Sequence, residues 1–150
     1  MPLTIRRGRP EDALVVAEFN HLLARETEGK DLDRATVAAG VRAVLADPSR
    51  GAYFLAEHDG EVVAQLMITG EWSDWRNGWI WWIQSVYVRH DARRQGVFRA
   101  LYEHVAHTAR EDSSVVGLRL YVERDNHAAQ HTYLNLGMRT TSYEILEVTW

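Results

Sequence analysis

Hydrophobic residues recur along the chain with two periods, and these periods predict its secondary structure. Alternating or continuous apolar runs rich in β-branched and aromatic residues are typical of strands. Such runs lie at residues 4–6, 52–57, 61–69, 79–89 and 115–122. A spacing of about 3.6 residues is typical of helices. This spacing follows Pro10, Asp33, Gly96 and Asn126. Residues 138–150 are predicted to add one or two closing strands.

The order of these elements predicts the fold. The Asp59-Gly60 pair is typical of a tight hairpin between two strands. The strand at 79–89, the next helix and the strand at 115–122 form a β-α-β unit, which predicts a parallel pair. We therefore expect an α/β fold with one mixed sheet, helices on both faces, and a single domain over residues 1–150.

Composition excludes several classes of protein. The 150 residues include no cysteine, so disulfide frameworks, thiolate metal sites and a cysteine nucleophile are excluded. The net charge of −4 argues against non-specific nucleic-acid binding, which needs a basic face. No apolar run reaches the ~18 residues of a membrane span, and the N-terminus lacks a signal-peptide pattern. We expect a cytoplasmic protein with no membrane or nucleic-acid partner. Histidine pairs occur at metal-like spacing without a third ligand, so no metal is predicted.

Residues 86–101 combine a strand, a basic turn and a helix start. Amides at a helix start are unpaired and carry partial positive charge. Gly96 permits close approach to the backbone, and Arg93, Arg94 and Arg99 add full charges. The turn therefore predicts a phosphate or pyrophosphate site, with a solvated basic turn as the alternative. The Walker and Rossmann sequences are absent.

Two sequence blocks resemble one known family. The first is Arg93-x-x-Gly96 between a strand and a helix, where Phe98 stands in place of the usual Gly or Ala but keeps its backbone N–H. The second block follows about 30 residues later, in the family's order, and consists of Asn126, Ala129, Tyr133 and Gly137-Met138. Together with the predicted element order, which covers nearly the whole chain, these blocks resemble GNAT-type N-acetyltransferases.

The resemblance implies that acetyl-CoA is the cofactor and lies between two splayed parallel strands, residues 79–89 and 115–122. Backbone groups of the first strand would hold the pantetheine arm, and the basic turn would hold the pyrophosphate. Tyr133, in the second block, would lie near the sulfur. The implied cofactor-binding residues are Val86, Tyr87, Val88, Arg93, Arg94, Gln95, Gly96, Val97, Phe98, Arg99, Asn126 and Tyr133.

The implied chemistry is attack of an amine on a thioester, and it raises two proton problems. An alkylamine has a pKa near ~10.4, so a base must take its proton. Glu71 is the first candidate base, followed by Glu26 and Glu28, and ordinary solvated carboxylates are the alternative. The leaving thiolate, with a thiol pKa of ~8.5, needs an acid. By resemblance Tyr133 is that general acid, and a core tyrosine is the alternative interpretation.

Five of the six tryptophans lie between Trp72 and Trp82. Tryptophan faces bind alkylammonium groups by cation–π attraction, and Glu71 and Asp74 add opposite charge, which favours a cationic amine acceptor. Two other interpretations stay open: the strand tryptophans fill the sheet faces, or Trp72 and Trp75 form a homodimer contact. The predicted acceptor-binding residues are Trp72, Trp75, Glu26, Glu28 and Gln84.

These expectations define an N-acetyltransferase that transfers an acetyl group from acetyl-CoA to a primary amine of a small acceptor. Two alternatives differ in class. One is a non-catalytic acyl-CoA-binding regulatory module, and the other is an acetyltransferase acting on a protein or another macromolecular amine.

Overall fold

The computed structural model describes residues 2–150, which form two compact units divided after Leu120. The strands are β1 (Thr4–Arg7), β2 (Ala52–His58), β3 (Glu61–Ser73), β4 (Gly78–Val88) and β5 (Val115–Arg119). The α-helices are α1 (Ala13–Glu28), α2 (Arg34–Ala46), α3 (Val97–Glu111) and α4 (His127–Asn135). Short 3₁₀ turns lie at Pro10–Asp12 and His90–Ala92. Within residues 2–150 no helix is long and apolar enough to cross a membrane.

The first unit contains a mixed sheet with the strand order β1-β2-β3-β4-β5. The first four strands pair antiparallel, and β4 pairs with β5 in parallel through the α3 crossover. Asp59 and Gly60 both have positive φ, 52° and 78°, at the β2–β3 turn, as the hairpin signal requires. The predicted mixed α/β sheet is confirmed.

Helices cover both faces of the sheet because successive residues of a strand point to opposite sides. Tyr53 and Leu55 of β2 pack with Val16 of α1 and Val41 of α2 in one apolar core. Phe54, between them, faces the other way, and its ring lies 5.8 Å from the His104 ring of α3.

Strand β3 is longer than predicted. The sequence predicts strands at residues 61–69 and 79–89, but β3 runs to Ser73 and a short turn joins it to β4. The reason is a cross-strand aromatic pair: Trp72 and Trp79 are register partners, with ring centroids 5.1 Å apart in an edge-on arrangement. Such pairs stabilise antiparallel strands, and positive φ at Asn77 (51°) closes the turn.

The two parallel strands pair over part of their length. Pairing runs from Trp79–Val115 to Trp82–Arg119, where β5 ends, although a strand to residue 122 was predicted. Strand β4 continues to Val88. Over the described residues, its last six positions therefore have no strand partner on the β5 side, and the sheet is open there.

Closing strands were predicted at residues 138–150, and this prediction is wrong for the described structure, in which that segment contains no strand. The apolar alternation that suggested strands is present in the sequence. A strand, however, also needs hydrogen-bonding partners for its N–H and C=O groups, and the alternation of apolar residues does not by itself supply them.

Candidate active site

The helix α3 begins without a side-chain cap, at a left-handed turn. Gly96 occupies the N-cap position with φ 77°, and Arg94 has φ 62°. The first amides of a helix have no intrahelical acceptor and carry partial positive charge. A Cβ placed on Gly96 would meet no heavy atom within 4 Å, so this backbone is open to approach. The turn has the features of an anion-binding nest.

Phe98 is the second residue of α3. Its backbone N–H is therefore one of the first amides of the helix, as it would be with a small residue at this position. Its ring centroid is 6.2 Å from that of Tyr102, one turn further along the same helix. The aromatic bulk that replaces the family's usual small residue therefore has a packing partner on α3.

The Arg93 side chain is tethered at three points. Its Nε donates to the Val88 carbonyl at 2.8 Å, Nη2 donates to both carboxylate oxygens of Glu26 at 3.1 Å, and the guanidinium lies 5.4 Å from the Tyr87 ring centre. Glu26, predicted as a base or acceptor contact, is thus placed against the basic turn. Arg93 is held by protein groups, and its positive charge is partly balanced.

Tyr87 is the buried residue that packs against the Arg93 guanidinium. It is almost completely buried and packs against Phe19 of α1 with ring centroids 5.1 Å apart. Burial raises the pKa of its phenol, and the neighbouring Glu26 carboxylate raises it further. The tyrosine therefore stays neutral and connects α1 to the end of β4.

The other cationic and polar side chains of the turn lie outside this contact. Arg99 pairs with Glu103 on the next turn of α3, at 2.9 Å. Gln95 donates to the Asp91 carbonyl at 3.1 Å, and Arg94 is exposed. Arg94 and Arg99 therefore place their charges on the solvent-facing side of the turn.

Glu71 lies where the pairing of β4 and β5 ends. Its Oε1 accepts a hydrogen bond from Trp82 Nε1 at 2.9 Å, and its Oε2 lies 3.4 Å from Arg119 Nη1. Trp82 and Arg119 are the last register partners of the two parallel strands. The carboxylate is therefore held at the point where the sheet opens.

A row of polar side chains continues from Glu71 on the same face of the sheet. Gln84, two residues beyond Trp82, donates to Thr69 Oγ1 at 2.7 Å. Gln65 lies further along β3 on this face and donates to Asn20 of α1 at 2.9 Å. The row thus faces α1 and lines the open part of β4.

Strand β4 is irregular beside this row. Ser85 has φ 51°, and the register with β3 shifts between Gln65 and Met67. Gln65 Nε2 donates to the Ser85 carbonyl at 3.1 Å, while its buried Oε1 has no hydrogen-bond partner. A bulge of this kind redirects backbone groups.

The residues predicted to bind the acceptor do not all lie on one face of the sheet. Trp72 follows Glu71 directly in β3, so their side chains point to opposite sides of the sheet. Trp75 lies in the β3–β4 turn and is 87% exposed. Glu28 pairs with Lys30 at 3.8 Å near the end of α1. The structure therefore brings together Glu71, Trp82 and Gln84 rather than Glu71 and Trp72.

The second unit carries the other predicted residues on and beside α4. Asn126 is the N-cap, and its side-chain oxygen accepts from Ala129 N at 3.2 Å. Tyr133 is half-buried, and burial raises the pKa of its phenol. Gly137, at φ 98°, ends the helix, with Met138 N donating to the Tyr133 carbonyl at 3.1 Å. The motif residues thus share one helix.

Sequence reasoning missed Arg119 and Thr69 and treated Trp82 as a packing residue. The contacts of these three residues depend on which strands lie side by side. Arg119, for example, reaches Glu71 although the two residues are 48 positions apart in the chain. A polar residue at the end of a short apolar strand was the available signal for Arg119.

An open β4 edge beside an uncapped, arginine-rich helix start is suited to an extended ligand that carries phosphate groups. The chain belongs to the Acetyltransferase (GNAT) family, whose profile matches residues 16–138. It is an acetyltransferase, and the family uses acetyl-CoA as its acetyl donor. A search of curated proteins returns no match to the chain.

Solved structures agree with this assignment. A possible acetyltransferase from Clostridium difficile 630 is 43% identical, with a TM-score of 0.94, over 100% of this chain and 99% of that one. A ribosomal-protein-alanine N-acetyltransferase from Brucella melitensis biovar Abortus 2308 is 18% identical, with a TM-score of 0.80, over 99% of both chains. An aminoglycoside acetyltransferase from an uncultured soil metagenomic sample is 16% identical, with a TM-score of 0.76, over 99% of this chain and 100% of that one. The last two share the fold alone.

Proposed function

We propose that this acetyltransferase acts on a primary amine of a small cationic acceptor, by direct attack on the bound thioester. The observation that carries the proposal is the position of Glu71 at the end of the β4–β5 pairing, fixed by Trp82 and Arg119. A carboxylate at the opening of the sheet attracts an alkylammonium group and is a base for its proton.

The residues present fit acetyl-CoA, which when bound supplies an activated acyl group as a thioester. The uncapped amides of Val97, Phe98 and Arg99, next to Arg94, Gln95 and Gly96, are suited to a pyrophosphate. Val86, Tyr87 and Val88 form the open edge of β4 and offer backbone groups to the pantetheine amides. The Val88 carbonyl is taken by Arg93, so Arg93 acts here as a positioning residue.

Glu71 acts on the acceptor. Trp82 and Arg119 each donate to one of its oxygens, which holds the carboxylate in one orientation without blocking its remaining lone pairs. It pairs with the incoming ammonium and accepts one of its protons, which leaves a neutral amine to attack. Gln84, on the same face, contributes a polar contact to the acceptor.

Tyr133 acts on the leaving group, and Asn126 holds the helix that carries it. Because burial raises the pKa of Tyr133, the phenol keeps its proton throughout the neutral range. With the cofactor bound, the phenol would donate a hydrogen bond and then its proton to the leaving thiolate. The second proton lost by the amine nitrogen on acyl transfer would restore the phenol, and the proton first taken by Glu71 would be released to solvent.

Steady-state kinetics on a panel of diamines, polyamines, amino acids and an N-terminal peptide test the proposal. We expect di- or polyamines to have the highest kcat/KM. Glu71→Gln should lower this kcat/KM by about 10²-fold, while acetyl-CoA should raise the melting temperature of the variant as much as that of the wild type. Glu111→Gln, an exposed carboxylate at the end of α3, is the matched control.

Equal kcat/KM for Glu71→Gln and the wild type would overturn the role of Glu71. A preference for the peptide over every small amine would overturn the acceptor class. Loss of stabilisation by acetyl-CoA in Glu71→Gln would place the residue in cofactor binding instead.

A further inference from the structure

Gln65 is a polar side chain that has no exposure to solvent. Its exposed fraction is 0%, like those of its neighbours Ala64 and Leu66 in β3. A buried amide loses its contacts with water, and its polar atoms then need partners within the protein. The Gln65 amide is only partly satisfied, because Nε2 donates two hydrogen bonds whereas the buried Oε1 accepts none from residues 2–150. An amide kept at this position despite an unpaired oxygen indicates that its donor hydrogens have a function.

The two acceptors of Gln65 Nε2 lie on different elements. One is the Ser85 carbonyl of β4 at 3.1 Å, and the other is Asn20 Oδ1 of α1 at 2.9 Å. A primary amide nitrogen carries two hydrogens, so both are used and the orientation of the amide is fixed. Asn20 is also hydrogen-bonded to Tyr53, which is buried in β2. Gln65 thus anchors one carbonyl of β4 to side chains of α1 and β2.

The carbonyl that Gln65 binds belongs to a bulge in β4. Gln65 pairs with Tyr87 and Met67 pairs with Gln84, so one residue of β3 lies opposite two residues of β4 between these pairs. Ser85 is one of the two, and its φ of 51° lies in the left-handed region, which is unfavourable for a residue with a Cβ. A bulge also takes backbone groups out of the regular ladder. The hydrogen bond from Gln65 gives the Ser85 carbonyl a donor and thereby stabilises the bulged conformation.

The bulge determines how the following residues of β4 are presented. Tyr87 packs its ring against Phe19, and the Val88 carbonyl accepts from Arg93. Side chains and backbone groups alternate in direction along a strand, so a β4 without the extra residue would turn both positions to the opposite side. Together with Val86, these two residues form the edge of β4 that is proposed to hold the pantetheine arm.

We propose that Gln65 is a positioning residue that acts through the Ser85 carbonyl and keeps the edge of β4 in the form that binds acetyl-CoA. Both of its amide hydrogens are engaged by the protein, so it acts on the backbone and not on the cofactor itself. The inference rests on the proposed contact between residues 86–88 and the pantetheine arm. It does not depend on the acceptor or on Glu71.

Calorimetric titration with acetyl-CoA, without an acceptor, is the first test. Gln65→Met nearly keeps the size of the side chain and removes both donor hydrogens. We expect its Kd for acetyl-CoA to rise about tenfold, the effect of one lost hydrogen bond in a buried site, while KM for the amine stays unchanged. Thr108→Val is the matched control, because it removes a side-chain donor to the His104 carbonyl at 2.8 Å in α3, and it should keep the wild-type Kd. A cooperative thermal transition shows that each variant is folded.

Substitutions of Ser85 test the bulge while Gln65 is present. Glycine adopts positive φ at little cost, whereas the β-branched valine resists it. We expect Ser85→Gly to bind acetyl-CoA as the wild type does and Ser85→Val to bind it about tenfold more weakly. Ser85→Gly should also restore about fivefold of the affinity lost in Gln65→Met, because it lowers the cost of the bulge itself. A residue that only filled space in the core would not give this restoration.

Wild-type affinity for acetyl-CoA in folded Gln65→Met would overturn the proposal, and so would an equal loss in Thr108→Val. If Ser85→Val weakens binding and Gln65→Met does not, the edge of β4 binds the cofactor but Gln65 does not position it. If neither variant changes the affinity, the proposed contact of residues 86–88 with the cofactor is wrong as well.

Should Gln65→Met not fold, the double variant Gln65→Met/Ser85→Gly is compared with Ser85→Gly alone. We expect the double variant to bind acetyl-CoA about twofold more weakly, the part of the tenfold loss that glycine does not restore, and equal affinities would overturn the proposal. A result against Glu71 leaves these affinities unaffected, because they are measured without an acceptor.

Discussion

The indole Nε1 of Trp82 donates to Glu71 Oε1 at 2.9 Å, across the β3–β4 pair. Trp82 is also the register partner of Arg119 at the end of β5. One tryptophan thus connects the candidate base to the point where the parallel strands stop pairing. A neutral donor orients the carboxylate on one side and a cation approaches it on the other.

Trp82→Phe removes this donor and keeps an aromatic ring. We expect kcat/KM for the amine to fall about tenfold, the effect of losing about 1.4 kcal/mol, while KM for acetyl-CoA stays unchanged. Trp81→Phe, on the opposite face of β4, is the control in steady-state assays. An equal loss in both variants would attribute the effect to packing rather than to the hydrogen bond.

Tyr133→Phe removes the proposed acid. We expect kcat to fall about 10²-fold with little change in acetyl-CoA affinity, measured by calorimetry. Because burial raises the pKa of Tyr133, wild-type activity should persist into alkaline solution and decline only above the ordinary phenol range, and the variant should lack that decline. Tyr143→Phe is the control. Identical pH profiles for Tyr133→Phe and the wild type would exclude Tyr133 as the acid.

Because Arg93 and Glu26 carry opposite charges, we expect their substitutions to change the affinity for acetyl-CoA in opposite directions. Arg93→Ala removes a cation and the hydrogen bond by which Arg93 positions the end of β4, so acetyl-CoA binding should weaken about tenfold. Glu26→Gln removes a negative charge while Val88 and Tyr87 still hold Arg93, so binding should strengthen by about twofold at low salt, and high salt should abolish the gain. Calorimetry at two ionic strengths measures both, with Glu18→Gln as the control. Weakened binding in Glu26→Gln would show that Glu26 is needed to orient Arg93.

Asp12 predicts an acid-sensitive contribution to stability. Both its oxygens accept from Arg6 at 2.8 Å and one accepts from Arg9 N at 2.7 Å, and the Arg6 hydrogen bonds are the largest cause of its lowered pKa. A lowered pKa in the folded state stabilises the fold above the ordinary carboxyl range, and this contribution is lost as the pH falls through the folded-state pKa.

Asp12→Asn should therefore cost about 3 kcal/mol at neutral pH, and the difference from the wild type should shrink in acid. Urea unfolding at pH 7 and near pH 3 measures it. Asp31→Asn removes an exposed ion pair with Arg25 and should cost less than about 1 kcal/mol. A difference for Asp12→Asn that is the same at both pH values would show that charge is not the cause.

The parts of the fold that were predicted from sequence are those with local causes. The Asp59-Gly60 turn depends on two adjacent residues that adopt positive φ, and the start of α3 depends on Gly96 and its neighbours. The β-α-β unit follows from handedness and connection length. By contrast, β3 extends to Ser73 because Trp72 meets Trp79 across the turn, a contact that a polar sequence between them conceals.

By itself the sequence determined the family, the turn at Gly96 that begins α3 and the motif residues on and beside α4, because each depends on short-range geometry and on residue types a few positions apart. Only the tertiary structure decided that Glu71 meets Trp82 and Arg119, and that Glu26 meets Arg93. Those outcomes depend on strand register and on where pairing stops. Both are set by the packing of residues far apart in the chain, where a shift of one position would turn each side chain to the opposite face.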